Sequence, residues 1–135
     1  MTPNIEEALR SLRAADRDSK AFEILRDAAD APLAAVCFHA QQAVEKLLKA
    51  VLFLHLIEFR RTHDLVKLAE LLRNQGIDSP VPDGALRRLN PFAVTFRYDD
   101  TDIARITREE AAEIVTSIRD WAAKQMKRAR PPSIP

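Results

Sequence analysis

Nowhere in these 135 residues do Val, Ile, Thr and Tyr alternate with polar residues at period two, as a half-buried strand requires. Ala, Leu, Arg, Glu and Lys dominate instead, and apolar positions recur at steps of three and four, tracing single helical faces. The pattern predicts an all-α chain. Its length fits one domain with one sizeable core and leaves too little for two packed domains and a linker.

Punctuation divides the chain into helices. Thr2-Pro3-Asn4 opens the first, with Asn4 as its cap and Glu7 three residues on. Ala8, Leu12, Ala15, Ser19 and Phe22 form its inner face. Pro32 suits the first turn of a second helix running to about Leu56. Glu58-Phe59-Arg60-Arg61 reads as a connection. Thr62 is the expected cap of a third helix, roughly Asp64–Arg73, with Leu65, Leu68, Leu71 and Leu72 inward and Gly76 as its stop. Asp78–Asp83, holding Pro80 and Pro82, must be loop. A short helix from about Asp83 to Asn90 follows, interrupted by Pro91. Thr107 and Glu110 form a capping box for the last helix, whose inner face is Ala111, Ile114, Val115, Ile118, Trp121, Ala122 and Met126. The expected architecture is an antiparallel up-and-down bundle of four main helices plus one short helix. It occupies residues 1–130, and Pro131–Pro135 form a Pro-rich disordered tail.

Several function classes drop out. Two glycines, Gly76 and Gly84, cannot build a phosphate loop or a dinucleotide fingerprint. The single Cys37 reads as a buried small hydrophobe. His39, His55 and His63 have no metal-ligand spacing, so neither a metal nor a cofactor is expected. A net charge of +1 argues against a globally basic nucleic-acid coat. The apolar run Ala50–Ile57 is far short of a membrane span, and no signal peptide opens the chain. A soluble, cytoplasmic protein is expected.

The second helix carries the most information. At 100° per residue, Leu33, Val36, Ala40, Val44, Leu47 and Val51 converge on a core arc. The opposite arc holds Gln42, Glu45, Lys46 and Lys49, as a solvated face would, with Glu45 and Lys49 at i,i+4. Phe38, Phe53 and Leu56 interrupt that polar side. They fit either a second contact surface, such as a homodimer interface, or cover by the short fourth helix.

The run Cys37-Phe38-His39-Ala40-Gln41-Gln42-Ala43-Val44-Glu45-Lys46-Leu47-Leu48-Lys49-Ala50 resembles the signature of the HEPN family (higher eukaryotes and prokaryotes nucleotide-binding domain). Asp18 in the first helix, Thr62-His63-Asp64-Leu65 at the third and Arg97-Tyr98 before the last agree in order and spacing. The resemblance spans about Ala8 to Ala123. It implies a helical bundle that commonly dimerises and frequently pairs with a minimal nucleotidyltransferase, in toxin–antitoxin or defence-type modules. Many members resemble metal-independent ribonucleases with an Arg followed, after a few residues, by a His. No Arg here precedes a His at that spacing, so enzymatic activity is not the leading expectation, and His63 with Arg97 are weak catalytic candidates.

The expected function is nucleotide or nucleic-acid binding in concert with a nucleotidyltransferase. The alternatives are a ribonuclease with a displaced His/Arg site and a plain interaction module. Gln42, Lys46, Lys49, His63, Arg97 and Tyr98 are the candidate binding residues. The lysines would hold phosphate as point charges and Arg97-Tyr98 would stack a base. Each has a structural alternative: the lysines as a solvated face, His63 as a partner of the exposed helix start.

Overall fold

The computed structural model describes residues 3–93 and 106–129, and among these there is no strand. Five helices follow one another: α1 Pro3–Asp27, α2 Leu33–Leu54, α3 Leu65–Arg73, α4 Asp83–Leu89 and α5 Arg108–Ala129, with a 3₁₀ turn at Asn90–Ala93 after α4. The all-α bundle expected from the periodicity is the observed fold. No helix among the described residues is long and apolar enough to cross a membrane. The tail 131–135 and Arg97-Tyr98 lie outside the described residues.

Helices α1 and α2 form an antiparallel hairpin whose register is set by three polar residues at heptad spacing. The Asn4 amide donates to the Leu54 carbonyl at 3.1 Å. The Ser11 hydroxyl donates to the Lys46 carbonyl at 2.7 Å. Asp18 meets His39 at 3.1 Å. Asn4 therefore does not cap α1 as the sequence suggests: the helix already starts at Pro3, and the amide reaches across to the partner helix.

Helix α2 is the central element. Val36, Ala40, Val44, Leu47 and Val51 are buried as the wheel requires, whereas Leu33, at the helix start, is 40% exposed. α5 lies antiparallel to α1, its first residue beside the end of α1 and Met126 clustered with Ala8 and Leu54. The apolar face of α5 packs on α2, and the Arg108 guanidinium ties its start to the end of α1. It donates to the carbonyls of Leu25, Arg26 and Ala28 at 3.1, 2.7 and 2.9 Å, satisfying orphan acceptors where α1 ends. Burial pushes the nearby Cys37 thiol up to about 11, with Arg108 pulling the other way. An unreactive core thiol is the consequence.

Thr107 caps α5 as expected, its hydroxyl accepting from the Glu110 N–H at 3.0 Å. The Glu110 carboxylate, however, takes the Thr107 hydroxyl and Arg88 rather than the Thr107 N–H of a full capping box. Trp121 is only half-buried, at the margin of the core. At α3 the cap is Asp64 rather than Thr62, its carboxylate accepting from the Val66 and Lys67 N–H groups. Thr62 supports it one step back, accepting from the Asp64 N–H at 3.1 Å. Asn90 completes the corner by donating to the Asp64 carboxylate at 2.9 Å and accepting from the Leu65 N–H. The α-helix ends at Leu89, just before Pro91, as the sequence suggests, and the chain goes on as the 3₁₀ turn.

Two helix ends close in the same way with different residues. After α3, Gly76 takes φ 78° and the Ile77 N–H reaches back to the Leu72 carbonyl. After α2, Leu56 takes φ 58° and the Ile57 N–H reaches back to the Leu52 carbonyl. Both are Schellman closures, in which glycine is the usual occupant of the left-handed position. Leucine there carries a steric cost of about 1–2 kcal/mol, and its side chain is 76% exposed.

Candidate functional site

The polar arc of α2 is not a simple solvated face. Glu45 is only 4% exposed and Gln41 is fully buried. The isolated wheel misplaces Glu45 because the chain entering α3 folds back over that edge of α2. A buried carboxylate costs several kcal/mol unless its oxygens are paired, and Glu45 is paired fully. Its Oε2 accepts from the Lys49 ammonium at 2.9 Å. Its Oε1 faces His63 Nδ1 at 2.9 Å and the Gln41 amide at 3.2 Å. The same Gln41 amide donates to the His63 carbonyl at 3.0 Å, and its own oxygen accepts from Gln42 at 2.8 Å. Gln41 thus ties the start of α3 to α2 with nothing left unsatisfied.

The other edge of the arc repeats the motif with α1. Asp18 accepts from the Lys46 ammonium through one oxygen and faces His39 Nδ1 through the other. The stripe is therefore a seam with a carboxylate on each side, and each carboxylate holds one lysine and one imidazole. Both imidazoles donate from Nδ1 to a carboxylate, so a neutral ring presents Nε2 as an acceptor. His63 is half exposed and Lys46 partly so, which leaves them accessible from outside.

Four of the candidate residues thus gather on one surface: Gln42, Lys46, Lys49 and His63. Asp18, Gln41 and Glu45 are among the residues that carry the resemblance, but the sequence alone gives them no part in organising this site. Glu45 carried one signal, its i,i+4 spacing to Lys49. The apolar residues of the stripe separate. Phe38 lies near the start of α2, edge-on to the His39 ring at 5.2 Å. Phe53 lies near the other end, half-buried against α1 and 5.3 Å from the Phe59 ring. Leu56 stands out at the helix exit. Among the described residues no group of three or more His, Cys, Asp or Glu side chains could hold a metal ion.

A family model described as the HEPN domain matches residues 8–126. The chain belongs to the HEPN family. Its fold resembles the crystal structure of an archaeal HEPN homologue at TM-score 0.56 and 17% identity, covering 91% of this chain and 98% of that one. At that identity the likeness speaks to fold alone. No curated protein gives a significant match. Within this HEPN domain the match takes in the whole polar seam, from Asp18 through His63, together with the Arg108 clamp.

Proposed function

We propose that this HEPN domain binds a nucleotide or nucleic acid at the α2 seam. In this reading it is a cytoplasmic, homodimeric subunit that works with a nucleotidyltransferase in a toxin–antitoxin or defence-type module. One observation supports the binding reading above the others. Lys49 and His63, from different elements, share the Glu45 carboxylate. An ammonium and an imidazole are thereby fixed side by side, with Gln42 and Lys46 on the same helix face. Polar groups held in place before the ligand arrives lose little entropy on binding it. Support for dimerisation comes from the family's habit and from Leu56, a large apolar side chain held out into solvent.

Calorimetric titration with mononucleotides, dinucleotides and short RNA tests the binding. Lys49→Ala should weaken it by about tenfold, the loss of one charge-assisted hydrogen bond, and His63→Ala by less, the loss of an Nε2 acceptor for a ribose hydroxyl or base N–H. Equal affinity in wild type and both variants removes the seam from the reading. Release of RNA fragments in metal-free buffer would mark a ribonuclease instead. Sedimentation of wild type against Leu56→Glu tests the dimer, whose association should weaken in the variant.

A further inference from the structure

At the end of the bundle where α2 gives way to the connection, the surface opens into a groove of about 900 Å³. Its floor is aromatic. The Phe53 and Phe59 rings meet edge to face at 5.3 Å, and both side chains are only half-buried. Ile57 adds an aliphatic wall, and Leu56, held outward by its left-handed backbone, forms the lip. Phe53 packs with the small cluster of Ala8, Leu54 and Met126, whereas Ile57 and Phe59 pack on the main core. The two clusters meet here without closing over the rings. Apolar surface is thereby left open to a ligand, in a groove of small-molecule size.

Charges of both signs border the groove, and pairing sorts them. Glu7 faces Arg10 at 3.2 Å, and Lys49 is held by the buried Glu45 at 2.9 Å. Glu58 and Arg61 remain. Both are exposed, and neither makes an ion pair with any described residue. A simple anion would be repelled by the Glu58 carboxylate, and a simple cation by the Arg61 guanidinium, so each offsets what the other attracts. A molecule carrying both signs avoids that opposition. Water and salt screen each pairing at this exposed edge, which leaves the aromatic contact to supply the larger share of the affinity.

We propose that this groove binds a small zwitterion with an aromatic body, of which an aromatic α-amino acid such as phenylalanine is the simplest case. Its ring lies on the Phe53–Phe59 pair, where an edge-to-face arrangement leaves a ring face for a third aromatic to meet. The carboxylate turns to the Arg61 guanidinium, whose planar fork matches it. The ammonium turns to Glu58. This site is independent of the nucleotide reading of the seam: it uses neither Lys46 nor His63 and leaves Lys49 paired with Glu45.

The test is an NMR titration of the full chain with a set of probes that each lack one feature. L-Phenylalanine carries them all, phenylacetate lacks the ammonium, phenethylamine the carboxylate and L-alanine the ring. Phenylalanine should bind about fivefold more tightly than phenylacetate or phenethylamine, the worth of one partly exposed charge pair. Its margin over alanine should exceed about tenfold. The shifted signals should centre on the Ile57 methyls and the Phe53 and Phe59 rings. Glu58→Gln should weaken phenylalanine about fivefold and slightly strengthen phenylacetate, which no longer meets an opposing carboxylate. Arg61→Gln should do the same to phenylalanine and phenethylamine. Both substitutions are at exposed side chains, and the spectrum of each variant establishes that it is folded. Equal binding of phenylalanine and phenylacetate, unmoved by Glu58→Gln, would make the groove a plain anion site and overturn the proposal. Shifts centred on Glu45 and His63 would overturn it as well. So would the absence of any response to phenylalanine up to about 10 mM, weaker than the millimolar binding that such a ring contact supports.

Discussion

The α2 seam and the connection that follows it both carry cations, and they use them in opposite ways. In the seam, Lys46 and Lys49 are tied to carboxylates that are themselves largely buried. Their charge stabilises the meeting of α1, α2 and α3. In the connection, Arg60, Arg61 and Lys67 have no such partner among the described residues, and their charge contributes little to the fold. A cation already paired has less field at a distance than an unpaired one, while it still presents a placed hydrogen-bond donor at contact. The difference separates paired from unpaired charge among the described residues only a few positions along the chain.

The comparison breaks if substitutions in the two regions have similar effects on stability. Glu45→Ala should have the largest effect, lowering the unfolding free energy by about 2–3 kcal/mol. It removes the acceptor for three donors, and the cost is less than that of a fully buried pair because Lys49 and His63 can turn to water. Denaturant titration measures this. The labelling rate of Cys37, unreactive while buried with a thiol at about 11, should rise in step. Gln41→Ala should follow at about 2 kcal/mol, since the His63 carbonyl and the Glu45 carboxylate lose a shared donor. A loss under about 0.5 kcal/mol for either variant would mean that the seam is not what secures the start of α3.

The connection should respond differently. Leu56→Gly should raise stability by about 1 kcal/mol by relieving the left-handed leucine, visible as a higher thermal midpoint. Gly76→Ala should lower it by a similar amount. An added Cβ at Gly76 meets nothing within 4 Å, so only the backbone conformation is taxed. Arg60→Ala/Arg61→Ala should be the mildest, within about 0.5 kcal/mol. A larger loss would show these guanidiniums to be structural after all.

What the sequence reveals and what it hides follow from the range of the interactions. Thr107 with Glu110 and the stop at Gly76 are local rules, and both appear where the sequence places them. The Glu45–Lys49 pair is equally local. Glu45 as a buried residue is not, because its burial depends on His63 arriving from another element. A helical wheel assigns faces to one helix in isolation and cannot register a neighbour that covers its polar side. Asp64 displaces Thr62 as the cap for a related reason: a carboxylate one step nearer the helix, steadied by the distant Asn90, accepts two N–H groups. Arg108 is the extreme case. Its partners are backbone carbonyls some eighty residues earlier, and nothing in the local sequence identifies them. That Arg60 and Arg61 meet no carboxylate among the described residues is hidden likewise, since it depends on where each carboxylate ends up.

The heptad of Asn4, Ser11 and Asp18 has a consequence for how the chain reaches its native arrangement. Two long helices with small apolar contact residues can slide past each other by a turn, about 5.4 Å, and still bury comparable apolar area. Such sliding would strand all three polar side chains at once, against groups that are not their partners, at about 1–3 kcal/mol for each one buried. The wrong alignments are therefore raised in energy, so the native one is not simply one choice among near equals. Because Asp18 also anchors His39 and Lys46, a hairpin that closes out of step cannot present a correctly assembled seam. Proofreading of the hairpin and construction of the site are one event.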